Sequence, residues 1–159
     1  MATSNAATSF LENRLLSLIF KNNAASFSSP GDNIYVGLAT AVSDFNDSTG
    51  ESAAGPTITE ANFTSYARVQ VAASAWTLTA DTADQQTCKN TNNIDFAASG
   101  GGGTDVITHV FIATHASASL DTLGSGGNVL FIGALDASKS IATGDIFRIN
   151  ATNLTIELK

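Results

Sequence analysis

Two segments in the second half of the chain, each apolar on both faces, constrain the fold more than any other feature of the sequence. In the first, residues 106–115, Val110 and Ile112 lie on one face of the predicted strand, and Ile107 and Phe111 lie on the other. The second, residues 128–135, reads Asn-Val-Leu-Phe-Ile-Gly-Ala-Leu and has no polar face either. Strands that are covered on both faces occupy the interior of a sheet. We therefore predict two central strands that pair as a wide hairpin.

Shorter strand patterns surround this pair. They occupy residues 33–40, 66–76, 92–98, 146–150 and 154–158. Tight turns are predicted at residues 142–145 and 150–153. Six or seven short strands separated by turns are typical of a sandwich or barrel, so we predict a mainly β fold, an antiparallel, jelly-roll-like β-sandwich with one helix. The polar stretch 77–91 is predicted to be irregular, and the segments 41–64 and 116–127 to be long loops that make contacts.

The N-terminal region predicts the one helix. Ser9 and Glu12 have the spacing of a capping box, in which each side chain satisfies an amide at the helix start, so we predict a helix over residues 10–22. Its apolar arc covers roughly 200°, wider than packing on one sheet requires. Either the helix is buried against both its own sheet and a neighbouring molecule, or it lies in a groove of its own domain. Residues 1–8 are predicted to be an arm ordered only by contact with something else, and residues 9–159 a single domain.

A shortage of charge in this sequence points to assembly. Charged residues make up 13% of the chain, against about 25% in soluble domains, and Asp121 is the only formal charge between Val106 and Leu135. Surface charge keeps freely diffusing proteins apart, and a subunit packed against other molecules does not need it. A neutral surface of hydrated Ser, Thr and Asn side chains is the alternative. We predict assembly contacts through the following residues: Ser4, Asn5, Leu11, Leu15, Leu16, Ile19, Phe20, Phe45 and Phe63.

The sign of the charge excludes some partners. The net charge is −7, and no cluster of Lys or Arg interrupts it. Nucleic acids and anionic membranes both attract proteins through basic residues, so neither is a predicted partner. The single cysteine, Cys88, precludes an intrachain disulfide, and the N-terminus lacks the features of a signal peptide. We therefore expect synthesis in a cytoplasm.

No constellation of residues predicts catalysis, a metal site or a cofactor. His109 and His115 are six residues apart, about 20 Å in a continuous strand, which is too far for a shared metal ion. The one acidic cluster has Thr49 where an EF-hand loop requires glycine, which leaves a looser oxygen-ligand site or simple Asx turns. Cys88 is interpreted as a bystander thiol, with its pKa lowered a little by Lys89. We predict that the protein is not an enzyme.

A succession of short motifs carries a resemblance. In chain order they are Phe-Leu-Glu-Asn-Arg-Leu-Leu from residue 10, Ile-Tyr-Val-Gly-Leu-Ala-Thr from 34, Tyr-Ala-Arg-Val from 66, Asn-Asn-Ile-Asp-Phe from 92, Thr-His-Val-Phe-Ile from 108, Gly-Asn-Val-Leu-Phe-Ile-Gly-Ala-Leu from 127, Gly-Asp-Ile-Phe-Arg-Ile from 144 and Leu-Thr-Ile from 154. Over residues 9–158 the chain resembles a family of short bacteriophage virion proteins, known as tail-fibre or minor structural proteins and related in build to capsid decoration proteins. The resemblance implies a structural role and no catalytic residues. The loops 41–64 and 116–127 are longer than is usual in that family.

The resemblance and the low charge together favour a capsid decoration, or cement, protein. Such a protein is expected to be a homotrimer that bridges capsomers of the major capsid protein on the phage head. A tail or tail-fibre component, in contact with other tail proteins, is the first alternative, and either phage role implies synthesis in the bacterial host cytoplasm and incorporation into the virion. A carbohydrate-binding module is the second alternative. It requires a surface line of aromatic side chains, for which Trp76, Tyr66 and Tyr35 are the candidates.

Overall fold

The structure is a computed structural model of the 159-residue chain. It describes residues 5–7, 11, 15–16, 19–20, 34–43, 57–82, 85–101, 105–116 and 129–158. Within these ranges the strands are β1 (Asn5–Ala7), β2 (Tyr35–Ser43), β3 (Thr57–Glu60), β4 (Val69–Gln70), β5 (Trp76–Thr82), β6 (Gln85–Asn90), β7 (Ile94–Asp95), β8 (Asp105–Ala113), β9 (Val129–Ile141), β10 (Arg148–Ile149) and β11 (Thr155–Leu158). A 3-10 helix, Ala73–Ala75, precedes β5. The pairings between these strands are antiparallel, which confirms the predicted mainly β, antiparallel fold.

The largest of the three sheets is organised around the predicted central hairpin. Its order is β1–β9–β8–β2–β3, and β4 also pairs with β2. The predicted strands at 106–115 and 128–135 are confirmed as β8 and β9, although β9 continues to Ile141. They pair with each other, and β8 pairs with β2 on its other side. The centre of the sheet is therefore where the two-faced apolar pattern placed it.

Both faces of this sheet carry apolar clusters. Leu38 of β2 and Val110 of β8 contribute to the main core, whereas their chain neighbours Ala39 and Phe111 belong to a second cluster. This alternation is what a strand buried on both faces requires. One detail of the prediction is wrong, because Ile107 lies in the cluster of Val110 and not in that of Phe111. A register shift directly after Ile107 interrupts the alternation.

The two smaller sheets share the main core with the large one. β7 and β10 pair with each other and supply Ile94 and Ile149, while the sheet β11–β6–β5 supplies Trp76 and Leu154 at the border of the core. Asn90, which is 1% exposed, holds this region together. Its amide nitrogen donates to the carbonyls of residues 92 and 150, and its side-chain oxygen accepts the backbone N–H of Leu154. One buried amide thus fixes two loops against β6.

Three predictions in the middle of the chain are wrong in part. The stretch 77–91, predicted to be irregular, contains the β5–β6 hairpin. Thr77, Thr79 and Thr91 are exposed, and the buried members Thr87 and Asn90 are polar as well, so no apolar alternation indicated the strands. In the segment 66–76 the strand residues are Val69–Gln70 and Trp76, the first residue of β5. Val71 is buried, and its N–H donates to the carbonyl of Ile34. The predicted loop 41–64 begins inside β2 and ends with β3, which pairs with β2, while residues 44–56 lie outside the described part.

The predicted turns near the C-terminus are confirmed by their hydrogen bonds. The N–H of Asp145 donates to the carbonyl of Ala142, and the N–H of Asn153 donates to the carbonyl of Asn150. Thr152, in the second turn, has a φ of 67°, a left-handed conformation that is unusual for a β-branched residue. The short strands predicted on either side correspond to β10 and β11.

The N-terminal region differs from its prediction. Residues 5–7 of the predicted arm form β1, which pairs with Phe131–Gly133 of β9, so this part is ordered by its own chain. Backbone pairing needs no apolar side chains, which is why the small polar residues gave no sign of it. Of the predicted helix at 10–22, five described residues have α-helical backbone, namely Leu11, Leu15, Leu16, Ile19 and Phe20. The remaining residues lie outside the described part, and the helix stays a prediction.

Candidate assembly surface

The most extensive polar arrangement among the described residues surrounds Arg68. Its Nε donates to Glu60 Oε1 and its Nη2 to Glu60 Oε2, each at 2.8 Å. The Nη1 group donates to the carbonyl of His115 at 2.6 Å. The Tyr66 hydroxyl donates to Glu60 Oε1 at 2.7 Å and accepts the backbone N–H of Leu38 at 2.9 Å. These contacts join β2, β3, the approach to β4 and the end of β8.

Buried titratable clusters of this kind occur at catalytic sites, but this one is closed to ligands. Only 3% of the Arg68 side chain and 25% of the Glu60 side chain are exposed. The guanidinium lies 5.4 Å from the centre of the Phe111 ring, a cation–π contact that covers its face. Burial raises the pKa of Tyr66 well above its ordinary value, so the hydroxyl stays a neutral donor. The cluster is therefore structural.

The other residues weighed for chemistry have ordinary surroundings. Nδ1 of His109 lies 2.7 Å from the hydroxyl of Thr108, and burial lowers the pKa of this histidine. The expected lowering of the Cys88 pKa by Lys89 is wrong, because burial raises the pKa of this thiol. In the described ranges no three His, Cys, Asp or Glu side chains are grouped to hold a metal ion. The acidic cluster around Thr49 lies outside them.

Some of the predicted assembly contacts are not on the surface. Phe63 is 4% exposed in the main core, and its ring packs edge-on against Tyr66 at 5.3 Å, so its assignment as a contact with another molecule is wrong. Leu11 is 9% exposed and clusters with Ile112 and Leu130 of the chain's own sheet. Aromatic and aliphatic residues in a predicted loop give no local sign of whether they turn inward. Asn5 lies in β1, and two of the remaining residues, Ser4 and Phe45, lie outside the described part.

Three of the predicted contacts form an exposed apolar group. Leu16 is 55% exposed, Ile19 is 61% exposed and Phe20 is 78% exposed, while Leu15 is half-buried. In an α-helix these positions lie three and four residues apart and share one side. Leu11 packs against the sheet, whereas these three side chains face solvent. A helix buried in a groove of its own domain, the alternative considered above, would not leave them exposed. We call Leu16, Ile19 and Phe20 the N-terminal apolar patch.

Three further large apolar side chains are exposed and were missed by the sequence patterns. Leu78 is 76% exposed, Ile146 is 57% exposed and Val106 is 44% exposed. Single exposed apolar residues are common on protein surfaces and need no explanation. Leu78 is different in its position, since β5 is the terminal strand of its sheet among the described strands. The stretch that contains it had been predicted to be irregular, so nothing in the sequence marked it as a strand edge.

The three aromatic candidates do not form the surface line that a carbohydrate-binding module requires. Tyr66 is engaged in the buried polar cluster. Trp76 packs at the border of two apolar clusters, and its indole N–H is buried without a hydrogen-bond partner. Tyr35 lies in β2, opposite Ala113 of β8 and Gln70 of β4. This alternative therefore has no support in the arrangement of its three candidates.

The described part of the chain thus combines a closed polar cluster with exposed apolar side chains and an open strand edge. In that part no helix has the length and apolar character needed to cross a membrane. Surfaces of this kind are typical of proteins that function by packing against other molecules. The class that the fold defines is a mainly β protein built from antiparallel sheets.

The particular family follows from comparison with known proteins. Residues 6–157 match the family model described as podophage GP4 fiber I protein gp80, and the chain belongs to this family. The protein is accordingly a bacteriophage virion structural protein, which confirms the resemblance seen in the motifs. No individual curated protein gives a significant match to the chain.

Proposed function

We propose that this protein is a structural component of the podophage tail fibre. Membership of a family described as a fiber I protein is the observation that carries the proposal. The prediction of a capsid decoration protein drew on the same low charge and on the resemblance, but the family name favours the fibre alternative. The proposal includes no enzymatic activity, and the closure of the Arg68 cluster within the fold supports that part of it.

Within this role the protein functions by self-association and by contact with other tail proteins. Two observations support this part of the proposal: charged residues make up 13% of the chain, and the N-terminal apolar patch is exposed. On a helix over residues 10–22, Leu16 and Phe20 would lie about 140° and 180° from Leu11, and Ile19 about 80° from it. The sandwich form belongs to the same proposal, because the large sheet and the two smaller sheets share one core. The predicted homotrimer is one form that this self-association could take.

Immunogold labelling of intact virions with antibodies against this chain tests the proposed location. We expect gold particles at the tail and none spread over the head. An antibody against the major capsid protein provides the matched control, since it labels the head uniformly in the same preparation. Uniform head labelling with the antibody against this chain contradicts the fibre proposal and restores the capsid decoration hypothesis.

A further inference from the structure

The outer edge of β5 has backbone groups that no described strand pairs with. The carbonyl of Thr79 accepts the hydroxyl of Thr87, and the carbonyl of Ala75 accepts the N–H of Thr91, so the odd-numbered residues of β5 face β6. In an antiparallel pair the residues between them direct their N–H and C=O groups the other way. Leu78 therefore presents both groups at the open edge.

The two neighbouring positions on this edge extend the open segment. Ala80 has the same parity as Leu78 and likewise directs its N–H and C=O outward. Trp76 contributes its carbonyl alone, because its N–H donates to the carbonyl of Ala73 at the end of the 3-10 helix. A register irregularity between Ala80 and Thr82 ends the regular part of the strand. The open edge therefore runs from the carbonyl of Trp76 to Ala80.

An apolar row leads across the sheet to this edge. Leu78 lies opposite Cys88 of β6, and Cys88 lies opposite Ile156 of β11, so the three side chains share one face. At the inner end, Ile156 is half-buried against the apolar cluster that contains Ile112. At the outer end, Leu78 is 76% exposed. The row stops at the strand edge with its last apolar member in solvent.

The segment 76–80 of this edge lacks the devices that protect strand edges from pairing. Proteins protect such edges with Lys, Pro, inward charges or very short strands. Residues 76–80 read Trp-Thr-Leu-Thr-Ala and contain neither a charge nor a proline. The one charge of β5, Asp81, lies beyond this segment. Among the other edges, β1 has 3 residues, β11 carries Glu157, and β3 carries Glu60. Pairing β5 with an identical strand therefore opposes no like charges within this segment.

We propose that β5 is a self-association edge that pairs antiparallel with β5 of a second copy of this chain. Identical edges related by a two-fold axis pair in this manner. The register that uses the open groups places the axis at Leu78, opposite Leu78 of the second copy. The N–H of Ala80 then donates to the carbonyl of Trp76 in the other chain, and both Leu78 side chains leave solvent together. The inference rests on the self-association in the proposed function and gives it a two-fold, dimeric form, which differs from the predicted homotrimer.

A charge substitution at the axis tests the pairing. In full-length protein, Leu78→Lys brings two ammonium groups face to face and removes the apolar contact, so we expect the dimer dissociation constant to rise at least about tenfold. Ile146→Lys, at a residue that is 57% exposed elsewhere, is the matched control and should leave the constant unchanged. Light scattering during size-exclusion chromatography over a concentration series measures both. Since Leu78 is 76% exposed, the far-ultraviolet circular dichroism of the variant should match that of the wild type.

A cysteine at the axis tests the register independently. Hydrogen-bonded antiparallel pairs have Cα atoms about 5.5 Å apart, within the range that a disulfide spans. In a Cys88→Ser background, Leu78→Cys should form a covalent dimer under mild oxidation, visible on a non-reducing gel. Ile146→Cys in the same background should give several-fold less of it.

Three outcomes would overturn the inference. They are a wild-type chain that stays monomeric throughout the concentration series, a Leu78→Lys variant that associates like the wild type, and equal disulfide yields at the two cysteine positions. None of these alters the result of labelling virions, which tests the fibre location separately. Conversely, head labelling rejects the fibre location and leaves the β5 pairing intact if the two variants behave as expected.

Discussion

Two arginine–carboxylate pairs with the same bonding pattern occupy opposite environments in this molecule. In the buried pair, Arg68 and Glu60 form two parallel hydrogen bonds, with 3% and 25% of their side chains exposed. In the surface pair, Arg148 of β10 and Asp95 of β7 also form two, at 2.5 and 2.9 Å, with 51% and 45% exposed. Judged by hydrogen-bond geometry alone, the two pairs would be expected to contribute equally to stability.

Their surroundings separate the two pairs. The third donor position of Arg68 is occupied by the His115 carbonyl, and its face is covered by Phe111. Removing one partner there leaves the other groups buried without compensation. Arg148 and Asp95 can exchange each other for water at little cost. The comparison teaches that burial, and not bond count, decides what an ion pair contributes in this chain.

Replacing the arginine in each pair tests most directly whether burial separates the contributions of the two pairs to stability. We expect Arg68→Met to lower the free energy of unfolding by about 3–5 kcal/mol, because it removes the buried cation with which Glu60 and the His115 carbonyl form hydrogen bonds. Arg148→Met is the matched control and should have little measurable effect. Urea unfolding followed by circular dichroism measures both. Equal losses in the two variants would show that burial does not separate the pairs.

The Phe111 ring that stacks on the Arg68 guanidinium provides the second test of the buried pair. A Cβ atom at Gly37 would lie 2.2 Å from Cζ of Phe111, so Gly37→Ala must displace the ring that the guanidinium covers. We expect a loss of about 1–3 kcal/mol from overpacking, measured by thermal or urea unfolding. Gly144→Ala is the control: a Cβ there meets no atom within 4 Å, but the φ of +88° is strained for alanine. Its loss should be smaller, and the reverse order would contradict the packing argument.

Removing the Tyr66 hydroxyl sharpens the account of the buried cluster. Tyr66→Phe leaves the N–H of Leu38 and one Glu60 interaction without their partner, so we expect a loss of about 1–2 kcal/mol at neutral pH. The folded-state pKa of Tyr66 is raised, so its contribution is complete below about pH 10, the unfolded value, and decreases as the pH rises further. The stability difference between wild type and Tyr66→Phe should therefore narrow above pH 10 in urea titrations. A stability difference between the two proteins that stays constant above about pH 10 would show that the ionisation of Tyr66 is not coupled to folding.

The surface pair gives the smallest expected effect, and it depends on acid. The hydrogen bond from Arg148 lowers the pKa of Asp95 in the folded state. The contribution of this pair is therefore present above the unfolded pKa of about 3.9 and lost as the pH falls through the folded value. Whatever small difference separates wild type from Arg148→Met at pH 7 should decrease as the pH falls below the unfolded pKa of about 3.9, and should also decrease in 1 M salt. A difference that grows in acid would contradict the assignment.

Sequence patterns located the central part of the fold because two-faced apolar segments have few alternatives. β8 and β9 were predicted with their pairing, and the turns at 142–145 and 150–153 were predicted from their residues. The motif Tyr-Ala-Arg-Val from residue 66 was identified in the sequence, but its role in the buried polar cluster was not predicted. Glu60 was assigned to a loop, and the His115 carbonyl comes from 47 residues further along the chain than Arg68. A single sequence gives no sign of such a meeting.

The same limit applies to the surface. Phe63 and Leu78 are both large apolar residues in segments that were not predicted to be strands. Phe63 is 4% exposed and Leu78 is 76% exposed. The difference arises because the backbone N–H groups of residues 62 and 63 are held by the Asp105 carboxylate, while Leu78 lies at the open edge of a sheet. Local hydropathy indicates whether a side chain favours burial, but it does not show whether the folded chain provides a group that covers it.

By itself the sequence determined that this protein is antiparallel β structure around two central strands, and that its surface carries little charge. These properties follow from side-chain periodicity and composition, which are local or additive quantities. The tertiary structure alone decided which arginine is buried, that the polar stretch 77–91 forms a hairpin, and which strand edge stays open. Those outcomes depend on backbone and side-chain groups that are distant in the chain, and their partners exist only once the sheets have assembled.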